Sequence, residues 1–379
     1  MAALSIPFNR PSVVGEEFNY VNEAIKVGHI SGDGIFSKRC HALFESVLGV
    51  PKALLTCSCT AALEMTAILL DIKPGDEVIL PSYTFVSTVN AFVLRGATPI
   101  FIDIRGDTLN IDESRLESLI TKRTRAIVVV HYAGVACEMD AIMEIADRHQ
   151  IPVVEDNAHG LFGRYKDRNL GTIGAFGTQS FHETKNFMCG EGGALLINNK
   201  DYLERAEIIR EKGTDRSRFF RGQVDKYGWV DIGSSFLPSD ILAAFLLAQL
   251  EKRDLIQNKR GDLWNRYRIE LKGWAEHNNV ALPFIPEHCE QTYHIFYLIL
   301  PNLDTRRALI SHLKDRGVLS VFHYVPLHTS VMGRKFGGKP GDCPVTEDLS
   351  ERLLRLPIFY SMTDDEQGLV IDSVKEFSF

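Results

Sequence analysis

Residues 126–156 read AIVVVHYAGVACEMDAIMEIADRHQIPVVED, a strand, a helix and a second strand in succession. Residues 126–130 form a short run with no polar side chain, and residues 153–155 form another that ends on an acid. Between them, residues 141–149 carry a helical pattern. Strands that are apolar throughout belong to a sheet buried on both faces, and a helix between two of them makes the pair parallel. The stretch predicts an open α/β sheet with helices on both sides.

The alternation extends in both directions. Upstream, residues 53–56, 77–80 and 98–103 read as strands, with helices over 60–71, 85–95 and 113–120. The first of these helices stops before Lys73-Pro74-Gly75-Asp76. Downstream, two β runs at 178–181 and 194–198 follow without full helices between them. Then the character shifts. Residues 240–272 form a long helical stretch with few breakers, followed by Pro283 and Pro286, a β run at 294–300, a helix at 306–316 and a strand at 319–324. We place a boundary near residue 250, with a large unit over 1–250 and a smaller α+β unit over 251–379.

With 379 residues, 45% of them hydrophobic, the chain is long enough to bury a sizeable core. Its 42 basic and 49 acidic residues leave a net charge of -7, which argues against a broad nucleic-acid footprint. A few local cations and helix N-termini could still hold a phosphorylated substrate. The seven cysteines are irregularly spaced with no CxxC pair, so neither a zinc ribbon nor a disulfide framework is indicated. No run approaches the roughly 20 apolar residues that span a bilayer, and the start lacks a basic-then-apolar leader. The expectation is a soluble, cytoplasmic protein with no metal centre.

Several motifs are missing: no P-loop, no GxSxG elbow, and no second histidine after His182-Glu183 at the metalloprotease spacing. Gly32-Asp33-Gly34 follows no strand and lacks the third glycine, which disfavours a NAD-binding enzyme. In an open α/β sheet, chemistry sits at the carboxyl ends of strands. Three such ends stand out. Thr56-Cys57-Ser58-Cys59-Thr60 would put small hydroxylated residues at a helix start, either as a phosphate site or as an ordinary N-cap. Asp156 follows a buried apolar run, either capping a helix or facing a cationic partner. Lys185, within Ser180-Phe181-His182-Glu183-Thr184-Lys185-Asn186, precedes the turn Gly190-Glu191-Gly192-Gly193. A lone lysine is ordinarily a solvated surface residue; in a cleft, desolvation would make it a nucleophile.

Those last two segments, with Pro81-Ser82-Tyr83-Thr84-Phe85 and Val154-Glu155-Asp156, resemble in order and spacing the sugar aminotransferases of the DegT/DnrJ/StrS group. These are fold-type I pyridoxal-phosphate enzymes. The resemblance runs from Ile6-Pro7-Phe8 to Arg355-Leu356-Pro357. It implies that Lys185 is the Schiff-base lysine, that Asp156 partners the pyridine nitrogen, and that Phe85 stacks on the ring. Ser58, Cys59, Thr60 and Ser180 fall where the family holds the cofactor phosphate, and His159 falls beside the ring oxygen. Cys59 stands where relatives usually have Gly. Ser235 stands where many have Asn, at a position expected to reach a neighbouring subunit's cofactor phosphate.

The segment from Glu211-Lys212-Gly213 to Ser234-Ser235 is similar to members that form dTDP-4-amino-4,6-dideoxygalactose for bacterial surface polysaccharide. The resemblance thus implies a nucleotide-linked keto-sugar as acceptor, L-glutamate as donor, and a homodimer or dimer of dimers. Lys212, Arg216, Arg218 and Arg221 are the candidate cations for the nucleotide diphosphate, unless they are a solvated loop. His323, Tyr324 and His328 are candidates for the sugar site. Another keto-sugar, or a catalytically silent sensor that keeps the fold, are the rival readings.

Overall fold

A computed structural model describes residues 6–378. The chain starts with α1 (Glu17–Val27) and α2 (Ile35–Leu48), neither anticipated from the sequence. It then alternates through β1 (Lys52–Thr56), α3 (Cys59–Leu69), β2 (Glu77–Pro81), α4 (Val86–Val93), β3 (Thr98–Ile102), β4 (Thr124–Val130), α5 (Met139–His149) and β5 (Val153–Asp156). A small hairpin, β6 (Arg164–Tyr165) and β7 (Arg168–Asn169), precedes β8 (Phe176–Ser180) and β9 (Gly193–Ile197). The central sheet has seven strands in the order β1-β9-β8-β5-β4-β2-β3. β9 runs against both its neighbours and every other pairing is parallel, so six strands point the same way.

The apolar runs explain this sheet. In β4, Val128 packs with Ala62, Met65 and Phe92 on one side, while Ile127 and Val129 pack with Ile142 and Ala146 on the other. Each such burial is worth roughly 1.5–3 kcal/mol, and a strand that fills both faces is anchored between two helical layers. α3, α4 and α6 (Leu203–Arg210) cover one face; α5, α2 and α8 (Asp240–Glu251) cover the other.

Three expectations are corrected. The helix expected at 113–120 is a pair of 3-10 turns, because Asp112 accepts from Ser114 N–H and only Leu116 there is fully buried, with Leu119 and Ile120 packed at the core's edge. The long helix expected at 240–272 is two. α8 ends at Glu251, and α9 (Arg253–His277) sets off at Lys252, whose ψ of 19° leaves the helical track. No proline or glycine sits there; Ile256 of α9 still packs with α8, and beyond it the second piece serves a different core. α8 packs with α1 and α2, whereas Leu263, Tyr267 and Leu271 of α9 pack on a second cluster with Phe296, Leu354 and Val370. The strand expected at 319–324 is reduced to one bridge, Val321 to Arg355, before Pro326 ends it.

After α7 (Arg216–Phe220), α8 and α9, the chain continues through β10 (Cys289–Glu290), β11 (Phe296–Ile299), α10 (Leu303–Asp315), α11 (Val331–Lys335), α12 (Pro344–Arg352), β12 (Leu353–Leu356) and α13 (Asp364–Lys375). β11 and β12 pair antiparallel. α9, α10 and α13 pack around that pair.

Candidate active site

The carboxyl ends of the co-directional strands open onto a cavity of about 780 Å³. It is lined by Ser58, Asp156, Ser180 and Lys185 from the sheet edge, and by His323 and Arg355 from the C-terminal part. Topology brings these together: Ser58 follows β1, Asp156 ends β5, Ser180 ends β8, and Lys185 lies in the loop joining β8 to β9.

Ser58 caps α3, its Oγ accepting from Ala61 N–H at 3.0 Å. The amides of Cys59 and Thr60 head the helix with no intrahelical acceptor, and the dipole's positive end lies with them. A Cβ on Gly193 would sit 2.3 Å from Ser58 C and 2.4 Å from Cys59 N, so only glycine lets β9 lie against this turn. Cys59 in place of Gly does not disturb it, because its thiol turns inward toward Thr178 Oγ1 at 3.5 Å. Thr60 Oγ1 donates to Ser87 Oγ at 2.8 Å on the opposite side.

Asp156 is buried in the floor. Its Oδ2 accepts from Thr88 Oγ1 at 2.7 Å and its Oδ1 from Ala158 N–H at 3.2 Å. Burial raises its pKa against the pull of those two donors. A cation beside the carboxylate would reverse that shift. Lys185 faces the same space, and burial brings its pKa down from 10.5 to about 8. Its neighbour Asn186 fixes the loop, donating to Gln257 Oε1 at 3.0 Å and Thr292 O at 2.7 Å while its Oδ1 meets His294 Nδ1 at 2.8 Å.

His159 is buried, and burial above all, then the charges of Lys185 and Arg355, keep its ring neutral. Its Nδ1 accepts from Ala133 N–H at 3.3 Å, which leaves the proton on Nε2. Phe85 is exposed at the cavity's wall, its ring 6.4 Å from that of Tyr324. His323 Nδ1 meets Tyr132 OH at 3.1 Å, and Tyr83 OH donates to the His323 carbonyl.

Not every expected residue arrives. His328 is buried away from the cavity, where Nδ1 meets Ser82 Oγ at 2.6 Å and Nε2 meets Glu347 Oε1 at 2.9 Å. It braces α12 against the end of β2. Lys212, Arg216, Arg218 and Arg221 also lie outside the cavity, paired with Glu211, Glu211, Glu204 and Glu207 respectively. Ser235 is exposed and bridges Glu211 by its backbone. Conversely, Thr88 and Arg355 were overlooked. The signal for Arg355 was a lone cation inside the apolar run Leu353-Leu354-Arg355-Leu356.

The aminotransferase family model described as DegT/DnrJ/EryC1/StrS matches residues 11–375. The chain belongs to that family. Family members of known structure share its architecture. A Streptococcus pneumoniae protein assigned as a sugar aminotransferase, solved with PLP, is 26% identical with a TM-score of 0.90, covering 98% of this chain and 97% of that one. DesV of S. venezuelae, solved with a ketimine intermediate, is 30% identical with a TM-score of 0.88, covering 98% of each. The spore coat polysaccharide biosynthesis protein SpsC of Bacillus subtilis is 33% identical, over 98% of this chain and 96% of its own. The mostly parallel sheet and the family together make this a fold-type I architecture. Among the described residues no helix is long and apolar enough to cross a membrane, and no group of three metal-ligating side chains occurs.

Proposed function

We propose that the chain binds pyridoxal 5′-phosphate in this cavity and moves an amino group from an amino acid to a nucleotide-linked keto-sugar. The observation that carries the reading is that Lys185, Asp156 and the capped turn at Ser58 line one cavity from different sides. A volume of about 780 Å³ lies within the range for small-molecule sites and leaves room for a sugar beside a cofactor.

Ser58, the amides of Cys59 and Thr60, and Ser180 would hold the phosphate. Asp156 would hold the ring nitrogen in its protonated form, Phe85 would cover the ring, and His159 Nε2–H would donate to the ring oxygen. When bound, the cofactor supplies an electron-accepting ring that stores the electron pair left on the carbon bearing the transferred nitrogen. Lys185 would hold the cofactor covalently and, once displaced by the donor, would take the proton from the donor's α-carbon and pass it on. In the second half it works in reverse at C4 of the sugar. The neutral His159, His294 and His323 do not compete for that proton.

The depressed pKa of Lys185 has a kinetic consequence. At pH 7, a pKa of about 8 leaves roughly a tenth of the amine unprotonated, about 300-fold more than a pKa of 10.5 would. Covalent capture of pyridoxal phosphate by cofactor-free protein, followed by absorbance, is expected to rise about tenfold per pH unit and level off above roughly pH 8. A rate still climbing at pH 10 would contradict this environment for Lys185.

For the acceptor we infer dTDP-4-keto-6-deoxyglucose, with L-glutamate as donor and dTDP-4-amino-4,6-dideoxygalactose as product, on the likeness of residues 211–235 to enzymes of that activity. We infer also a homodimer in which Ser235 and the cations at 212, 216, 218 and 221 serve the partner's site. Exposed Phe220 and Trp229 flank those positions and support an apolar contact there. The division into two units near residue 250 is part of the same reading; from Leu263 onward α9 packs in a different core from α8, which supports it. The test is an assay of purified protein with that keto-sugar and glutamate. Expected are ping-pong kinetics and a galacto-configured amine at C4 by NMR. A ternary-complex pattern sinks the mechanism, and an unchanged keto-sugar sinks the substrate.

A further inference from the structure

The imidazole of His294 is held on every side but one. It lines the cavity with 8% of the residue's surface exposed. Behind it, the buried Arg260 fixes the backbone, donating from Nη2 to His294 O at 2.7 Å and from Nε to Tyr293 O at 3.1 Å. Tyr293 has a φ of 54°, a left-handed backbone that is costly for a tyrosine and persists where surrounding contacts impose it. The His159 ring lies 4.4 Å from that of His294, and Thr292 ties the two segments together, its Oγ1 donating to His159 O at 2.6 Å.

Asn186 fixes the tautomer. Its Nδ2 donates to the Thr292 carbonyl at 2.7 Å, and a carbonyl oxygen can only accept. Oδ1 is therefore the acceptor that faces His294 Nδ1 at 2.8 Å, and the imidazole proton sits on Nδ1. Burial above all, then the charges of His159, Lys185, Arg260 and Arg355, hold the ring neutral. Nε2 is left with a bare lone pair. Among the described residues it has no partner, yet it is not one of the polar atoms sealed inside the protein; it opens on the cavity. A rigid acceptor with nothing to accept from, in a site that a substrate dries, is a place for a donor.

What arrives must bring an N–H or an O–H. Carboxylate and diphosphate oxygens carry no proton at neutral pH, so neither the donor's carboxylate nor the nucleotide can use this nitrogen. The residue that holds Nδ1 is the chain neighbour of Lys185, and the charge of Lys185 is felt at His294. A group meeting Nε2 therefore lies close to the carbon that Lys185 must reach. In a 4-keto-6-deoxy sugar that carbon has two neighbours. C5 bears a methyl group, and C3 bears a hydroxyl. We propose that His294 Nε2 accepts a hydrogen bond from the C3 hydroxyl, so that the acceptor class is a 4-keto-sugar with a free hydroxyl beside its carbonyl. The proposal rests on the transamination reading and narrows its substrate.

The test is titration calorimetry on the cofactor-loaded protein with two ligands that have no carbonyl to react, dTDP-6-deoxyglucose and its 3-deoxy analogue. The ratio of the two affinities is the readout. Wild type is expected to bind the first about 30-fold more tightly, because without the hydroxyl a buried acceptor stays unmatched. His294→Phe keeps a ring against His159 but has no acceptor, and its ratio is expected to fall below about threefold. His294→Gln, whose amide oxygen reaches about as far as Nε2, is expected to restore about tenfold. Whatever His294→Phe does to the rate through Asn186, a merely structural role leaves this ratio where it was. A wild-type ratio near unity overturns the proposal. So does a preference that survives in His294→Phe, since the hydroxyl is then read elsewhere and Nε2 faces the freed lysine. If wild type shows the expected ratio but transfers no amino group, the transamination reading fails alone. If it binds neither ligand, the sugar reading fails and this proposal falls with it.

Discussion

Lys185→Ala is expected to lower kcat by at least about 10⁴-fold, because two separate contributions vanish with one amine. Positioned proton transfer is worth about 10²–10⁴-fold. The covalent hold on the cofactor adds a further factor, since a bound carbonyl group is otherwise free to leave. The protein should still fold. Lys185 is half-buried at the cavity wall and makes no side-chain hydrogen bond among the described residues, and its loop is held by Asn186 and by backbone pairs from Phe181 to Gly192. Borohydride treatment followed by peptide mass mapping checks the covalent part. The cofactor's mass should appear on the peptide containing position 185 in the wild type and nowhere in the variant. Adduct on another lysine, or a variant retaining more than about a hundredth of the rate, would remove Lys185 from the centre of the chemistry.

Sequence reading reached the sheet edge because the pattern there is local. Residues 126–130 carry no polar side chain, and Val153 and Val154 come just before the acids, as short strands covered by helices on both faces require. Asp156 was visible because it follows such a run, and Lys185 because it lies between a β run and a glycine-rich turn, where side chains leave the core and enter a crevice. Elsewhere the deciding contacts are distant. Periodicity over 240–272 is helical throughout, and nothing in it announces that the first half packs on α1 and α2 while the second packs on β11 and β12. α1 escaped because its buried Glu17 looks like a surface residue; in the fold its carboxylate accepts from Val14 N–H, Gly15 N–H and Gln249. The basic residues near 216 were picked out by composition alone, which shows neither their pairing with Glu204, Glu207 and Glu211 nor their place outside their own chain's cavity. Arg355 failed in the opposite sense. One arginine in an apolar strand is easily read as an edge residue, and its meaning depends on the cavity it faces.

The second large effect is expected at Asp156. Asp156→Asn keeps the shape and an acceptor for Thr88, so the floor of the cavity should stand, but the negative charge is gone. At about 3 Å and an effective dielectric constant near 20, a unit pair is worth about 5 kcal/mol before desolvation is subtracted. The carboxyl's own raised pKa shows that burial consumes part of this. A net of about 3–4 kcal/mol corresponds to a fall of about 10²–10³-fold in kcat. The sign with pH follows from the same balance. A cationic ring nitrogen beside Asp156 favours the ionised carboxyl, so the wild-type pair should hold its charges through neutral pH. With asparagine the ring loses its proton more readily, and whatever rate survives should decline as pH rises. Donor and sugar halves should suffer together, because the ring's electron demand is common to both. An Asp156→Asn enzyme slowed in one half alone, or less than tenfold overall, would mean that the carboxylate is a capping residue for Ala158 and that the ring nitrogen is held elsewhere.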